Sequence, residues 1–248
     1  MTEEVLLSWI RKLGNFAVLS GPEKRVLLNA IAQTQEYGPH TDLIREGDAT
    51  ANVNVILSGF ACRQKTLPDG RRQIIGYLLP GDICDARVFL LRRMDHTIST
   101  VSPVKVGIIL HETALELIER YPRLTLALWW VTLVEESIAR EWLINVGQRT
   151  ALERLAHLFC EIYVRLRAVG LVDGNSCELP VTQAELADTL ALSTVHVNRT
   201  LRELRRANLI SIRARSLIIH DFTSLQRMAM FDPKYLHLDN ERLTSKER

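Results

Sequence analysis

Apolar positions recur at helical spacing over residues 4–16 and again over 22–34, the second run opened by Ser20, Gly21 and Pro22 with Glu23 in its first turn. Two short helices are therefore predicted at the start. From Pro39 to about Leu110 the texture changes to short β-rich runs at 53–57, 60–66, 73–79 and 104–110. Gly47-Asp48, Ser58-Gly59, Pro68-Asp69-Gly70 and Pro80-Gly81-Asp82 separate these runs with residues that tolerate positive φ or preset a turn. This pattern predicts an antiparallel β-roll or jelly roll.

After Pro122 neither glycine nor proline occurs until Gly147, and apolar residues run nearly all the way round the helix this implies. A helix so apolar must be covered on more than one side. One side can pack on the β-roll and another can meet a second copy across a two-fold axis, with Trp130, Leu133, Ile138 and Trp142 as the expected seam. A second helix is predicted over residues 149–169, ending at Gly170. The expected organisation is an α+β chain: a β-roll sensor domain with N-terminal helices over 1–120, a dimerisation helix over 121–147, a second domain over 148–232 and a C-terminal tail over 233–248.

The strongest local signal lies in residues 179–221. Thr182 with Glu185 three residues later is a capping box, and Leu186, Ala187 and Leu190 give a short helix its inward face. Ala191 and Leu192 form a turn and Ser193 caps a second helix, in which Val197, Leu201 and Leu204 make the buried stripe. This order is that of a helix-turn-helix, whose second helix enters the major groove by its N-terminal turns. Thr194, Val195, Asn198 and Arg199 are the expected base readers. An arginine fork donates twice to guanine, an asparagine amide both donates to and accepts from adenine, and Val195 has only a thymine methyl to meet. Thr182, Ser193, His196 and Arg202 are expected at phosphates. Two short alternating runs joined through Arg213-Ala214-Arg215 predict a wing whose two cations also meet phosphates.

The charge distribution supports a polyanionic partner. The whole chain carries only +2, yet residues 196–219 hold six arginines against Glu203, a local +5. Double-stranded DNA is the expected partner. Cys62, Cys84, Cys160 and Cys177 are widely spaced, with no C-x-x-C pair, which argues against a zinc finger, and no metal site is expected. Glu3 and Glu4 stand where a signal peptide would be positive, and the apolar run 124–134 is far short of the roughly 20 residues of a membrane span. A cytoplasmic protein with no membrane contact is expected. His40, His96 and His111 lie far apart and form no H-x-H pair, so neither a cupin-like metal enzyme nor any catalytic residue is expected.

The run Ser193-Thr194-Val195-His196-Val197-Asn198-Arg199-Thr200-Leu201, with the β-roll, the long helix and Gly147 before it, resembles the Crp/Fnr superfamily of transcription regulators over nearly the whole chain. The resemblance implies a parallel homodimer joined along its central helices, two half-sites about one helical turn apart, and contact with RNA polymerase. It places Arg199 on the guanine-reading arginine, and Thr182, Ser193, His196, Arg202 and Arg213 on phosphate-touching positions. Thr194 and Val195 depart from the Arg-Glu pair common there. It also marks a candidate effector pocket at Asp85, Ala86, His96 and Thr97. Cyclic-nucleotide-binding relatives carry a Gly-Glu pair at the first two positions and an Arg-Ser or Arg-Thr pair at the last two. A carboxylate and the phosphate-binding arginine are thus replaced, and control by cyclic AMP is not expected. No cysteine precedes Cys62, whereas the iron-sulfur branch needs an N-terminal cluster of them. No cofactor is predicted; a cyclic nucleotide, haem on Cys84 or His96, and a redox signal at Cys177 stay open as alternatives.

Overall fold

The computed structural model describes residues 3–16, 18–49, 52–84 and 93–238. Helix α1 (Glu3–Gly14) leads into α2 (Gly21–Ala30), whose N-terminus is closed by a reciprocal Ser20–Glu23 capping box. Residues 31–34, expected to prolong that helix, instead begin β1 (Ile31–Tyr37). Here the β-branched Ile31 and Thr34 face partners on β7 (Val104–Ile109), a pairing across some seventy residues that outweighs local helical spacing.

Two antiparallel sheets build the β-roll. One has the order β1-β7-β3, with β3 at Val53–Ser58. The other has the order β2-β6-β4-β5, formed by Asp42–Ile44, Thr97–Thr100, Ala61–Thr66 and Arg72–Leu78. Ile56, Ala61, Leu78, Ile98, Val104 and Val106 fill the space between the sheets. At the Pro80-Gly81-Asp82 turn Gly81 has φ +95°, and a Cβ there would lie 2.6 Å from the carbonyl oxygen of Ser8. Only glycine lets α1 lie so close to the turn.

Helix α3 (His111–Arg120) and the 26-residue α4 (Pro122–Gly147) follow. Leu124, Ala127, Val131 and Val134 form the buried stripe of α4, at spacings of three and four. After three linking residues comes α5 (Ala151–Ala168), opened by a Thr150–Glu153 capping box and almost wholly buried. It carries a small sheet ordered β10-β11-β9-β8, with β8 at Val172–Asp173, β9 at Ser176–Glu178, β10 at Ile210–Arg213 and β11 at Ser216–Ile219. Helices α6 (Gln183–Leu190), α7 (Thr194–Arg206) and α8 (Phe222–Ala229) complete this unit. The C-terminal tail has structure at its start: a 3-10 turn at Pro233–Leu236 with Leu236 buried. No helix among the described residues is long and apolar enough to cross a membrane.

Candidate nucleic-acid interface

Local chemistry sets the geometry of the α6–α7 pair. Thr182 Oγ1 accepts the Glu185 backbone N–H at 3.2 Å and Glu185 Oε2 accepts that of Thr182 at 2.8 Å, so two orphan donors of α6 are satisfied reciprocally. Ala191 ends the helix in the left-handed region at φ 54°, and the chain reverses through Leu192, whose N–H reaches the Ala187 carbonyl at 3.1 Å. Ser193 then caps α7, its Oγ accepting from His196 N at 3.3 Å. Val197, Thr200, Leu201 and Leu204 seat α7 on the core.

The opposite side of α7 is open. Thr194, His196, Arg199 and Arg202 are exposed and Val195 is 76% exposed, the setting a side chain needs to reach a base edge. Arg199 keeps only a loose contact with Glu203, 3.8 Å away, so its fork is available. Asn198 differs from the expected free reader: it is half-buried and its Nδ2 donates to the Thr194 carbonyl at 3.3 Å. Reading adenine from there means giving up that bond. Arg213 and Arg215 are exposed at the wing tip, where Ala214 and Arg215 both take positive φ in the two-residue reversal. Thr182 and Ser193, expected at phosphates, are also exposed.

A connection that the sequence reading missed links this unit to the β-roll. Tyr77 Oη on β5 lies 2.6 Å from Thr189 Oγ1 on α6, Gln73 Nε2 donates to the Thr189 carbonyl at 3.1 Å, and Arg72 pairs with Asp188 at 2.7 Å. Further along, the buried Asp82 takes Lys12 at 2.9 Å and Arg165 at 2.6 Å. Burial alone would raise the Asp82 pKa, but the two cations win and hold it down at about 2. Glu161 and Arg165, four residues apart among the apolar residues of α5, were the available clue.

The long helix places the expected seam residues unequally. Leu133 is 54% exposed, whereas Trp142 is 8% exposed with its Nε1 donating to Glu161 at 3.1 Å, so it belongs to the chain's own core. Trp130 and Ile138 are half-buried against the same chain. Among the exposed positions of α4, those at 126, 129, 133, 136, 140, 143 and 147 alternate by three and four, with Ala139 and Ile144 exposed beside them. This is the spacing of a heptad stripe, and it carries Leu126, Trp129, Leu133 and Leu143, with an ion pair at Glu136–Arg140.

In the candidate effector pocket, Asp85 and Ala86 lie outside the described residues. His96 is buried, with its Nδ1 2.7 Å from Asp95 Oδ1, and Thr97 Oγ1 accepts from Glu46 N at 3.1 Å. All four cysteines are buried, and burial pushes the thiols of Cys62, Cys160 and Cys177 up to about 12, far from the thiolate that redox or metal chemistry uses.

Residues 153–228 match the family model of the Crp-like helix-turn-helix domain and residues 34–121 that of the cyclic nucleotide-binding domain. The transcriptional activatory protein AadR of Rhodopseudomonas palustris is 31% identical over 192 residues, covering 77% of this chain and 79% of that protein. The transcriptional activator protein FnrL of Cereibacter sphaeroides is 29% identical, over 82% of this chain and 83% of its own length. Among solved structures, FixK2 of Bradyrhizobium japonicum superposes with a TM-score of 0.70 at 22% identity, over 79% of this chain and 96% of that one, a likeness of fold. With an open cationic recognition helix and both family domains in place, the chain belongs to the Crp/Fnr family of DNA-binding transcription regulators.

Proposed function

We propose that this regulator works as a parallel homodimer on a two-fold operator, without cyclic AMP, without an iron-sulfur cluster and without catalysis. The observation that carries this reading is the open first two turns of α7 in a chain whose long helix also exposes a heptad stripe. Two copies joined along that stripe present two recognition helices related by symmetry, as a palindromic site requires. Arg199 reads guanine, Val195 contacts a thymine methyl, and Thr194 and Asn198 complete the readout. Thr182, Ser193, His196, Arg202, Arg213 and Arg215 hold phosphates.

The residues of the effector pocket do not fit a cyclic phosphate. At the position where a guanidinium would be needed, His96 is buried beside the Asp95 carboxylate, which repels an anion. The buried, separate cysteines argue likewise against a metal-sulfur cluster. AadR and FnrL are named as activators, which favours recruitment of RNA polymerase by the bound dimer. Selection of duplexes from a random pool at stepped salt tests the proposal. The expected product is a palindrome with half-sites roughly 34 Å apart, selected equally with and without cyclic AMP. Enrichment of an asymmetric single site, or dependence on the nucleotide, would overturn it.

A further inference from the structure

The link between α4 and α5 is three residues long, so the angle between these helices is set by what packs across it. That angle matters, because α7 packs on α5 and its direction relative to the seam on α4 follows from it. The segment that spans the angle is the start of the C-terminal tail. It lies beyond residue 228, where the matched helix-turn-helix domain ends.

Phe231 and Leu236 are buried, and the 3-10 turn lies against both α4 and α5. Tyr235 Oη donates to Glu161 Oε2 at 2.8 Å, and the same oxygen accepts Trp142 Nε1 from α4 at 3.1 Å. Glu161 Oε1 accepts from Arg165 at 3.1 Å, and Arg165 continues to Asp82 in the β-roll. One buried carboxylate therefore collects donors from the seam helix, from α5 and from the tail. Within the link itself, Arg149 Nη2 bridges Glu141 Oε1 at 2.6 Å and the Met230 carbonyl at 3.3 Å. Buried polar groups with fixed partners specify one arrangement among alternatives, the role in which they are best attested.

We infer that residues 231–238 are a strap, with Tyr235 as its positioning residue, that fixes the angle between the seam helix and the DNA-reading unit and so sets the half-site spacing the dimer accepts. The inference rests on the two-fold DNA reading above. Tyr235→Phe keeps the ring that stacks on His157 at 5.9 Å and removes only the hydroxyl donor. A chain ended after Asp232 removes the rest of the strap.

The test is binding to duplexes carrying the selected half-sites at the preferred spacing and at one and two base pairs more or fewer. For the full chain, affinity is expected to fall about tenfold per step away from the best spacing, because a rigid two-site binder loses its second contact when geometry is wrong. In Tyr235→Phe the step is expected to shrink to about threefold, with single half-site binding unchanged within about twofold. The shortened chain should be flatter still, and if it fails to fold, Tyr235→Phe decides alone. An unaltered spacing preference in Tyr235→Phe overturns the inference. Absence of any duplex preference in the full chain instead overturns the DNA reading beneath it.

Discussion

Replacing Leu133 by glutamate is expected to convert the proposed dimer into a monomer while leaving the fold intact. Leu133 sits at the middle of the heptad stripe and is 54% exposed, so pairing buries about half of its side chain. A fully buried leucine contributes about 1.5 to 3 kcal/mol, so each copy loses about 1 kcal/mol. The two-fold axis doubles this loss and sets two carboxylates close together in an apolar seam, where desolvation costs several kcal/mol per ion. A total of at least about 4 kcal/mol corresponds to about a thousandfold weaker association. Sedimentation equilibrium across a dilution series reads it directly, and circular dichroism checks the fold. Trp142→Glu is the contrast: it strands a charge beside Glu161 inside one chain, so it should lower the melting temperature of monomer and dimer alike. A Leu133→Glu protein that keeps the dimer mass at the lowest concentration would refute the placement of the seam.

Other expectations follow from the same geometry. Arg199→Ala should remove about 1 to 3 kcal/mol of base discrimination in each half-site, measured as the ratio of binding to the selected site and to a guanine-substituted one; an unchanged ratio would move the readout elsewhere. Arg213→Ala should leave that ratio alone but reduce the slope of log K against log salt by about 0.9 per wing, or about 2 per dimer, and an unaltered slope would free the wing of phosphate contact. Burial, with help from Arg149, pushes the pKa of His157 down to about 3, against an ordinary 6.5. The unfolded chain therefore takes up this proton first as pH falls, so the contribution is whole above pH 6.5 and is lost toward pH 3. Urea titrations should show stability falling by about 1 kcal/mol per pH unit more steeply in the native chain than in His157→Gln between pH 6.5 and pH 5; equal slopes would mean that His157 is not held neutral.

Much of the reading unit was legible because its signals are local. The Thr182–Glu185 box, the turn at Ala191 and the Ser193 cap all lie within a few residues of what they control. What stayed hidden depends on distant partners. The end of α2 was misplaced because Ile31 and Thr34 answer to β7. The phase of α4 was ambiguous because its apolar residues surround it, and only the packing of Trp142 on α5 shows which side is left over. Asn198 looked like a free reader, although an asparagine four residues beyond a carbonyl on a helix can bond to it. The docking site of the tail stayed hidden because Phe231 and Leu236 find their partners on α4 and α5, far back in the chain.

Tyr77 on Thr189 has a consequence for anyone who would exchange parts of this regulator. Phe60, Cys62, Ile74, Tyr77 and Leu79 of the β-roll share one continuous core with α5 and α6, so a reader excised at residue 148 would carry a raw apolar wound where those side chains had been. Such a fragment should aggregate, and the intact chain should melt in one cooperative step. Grafting a foreign reader onto this sensor would succeed only if its first helix arrived with a surface recut to match β5.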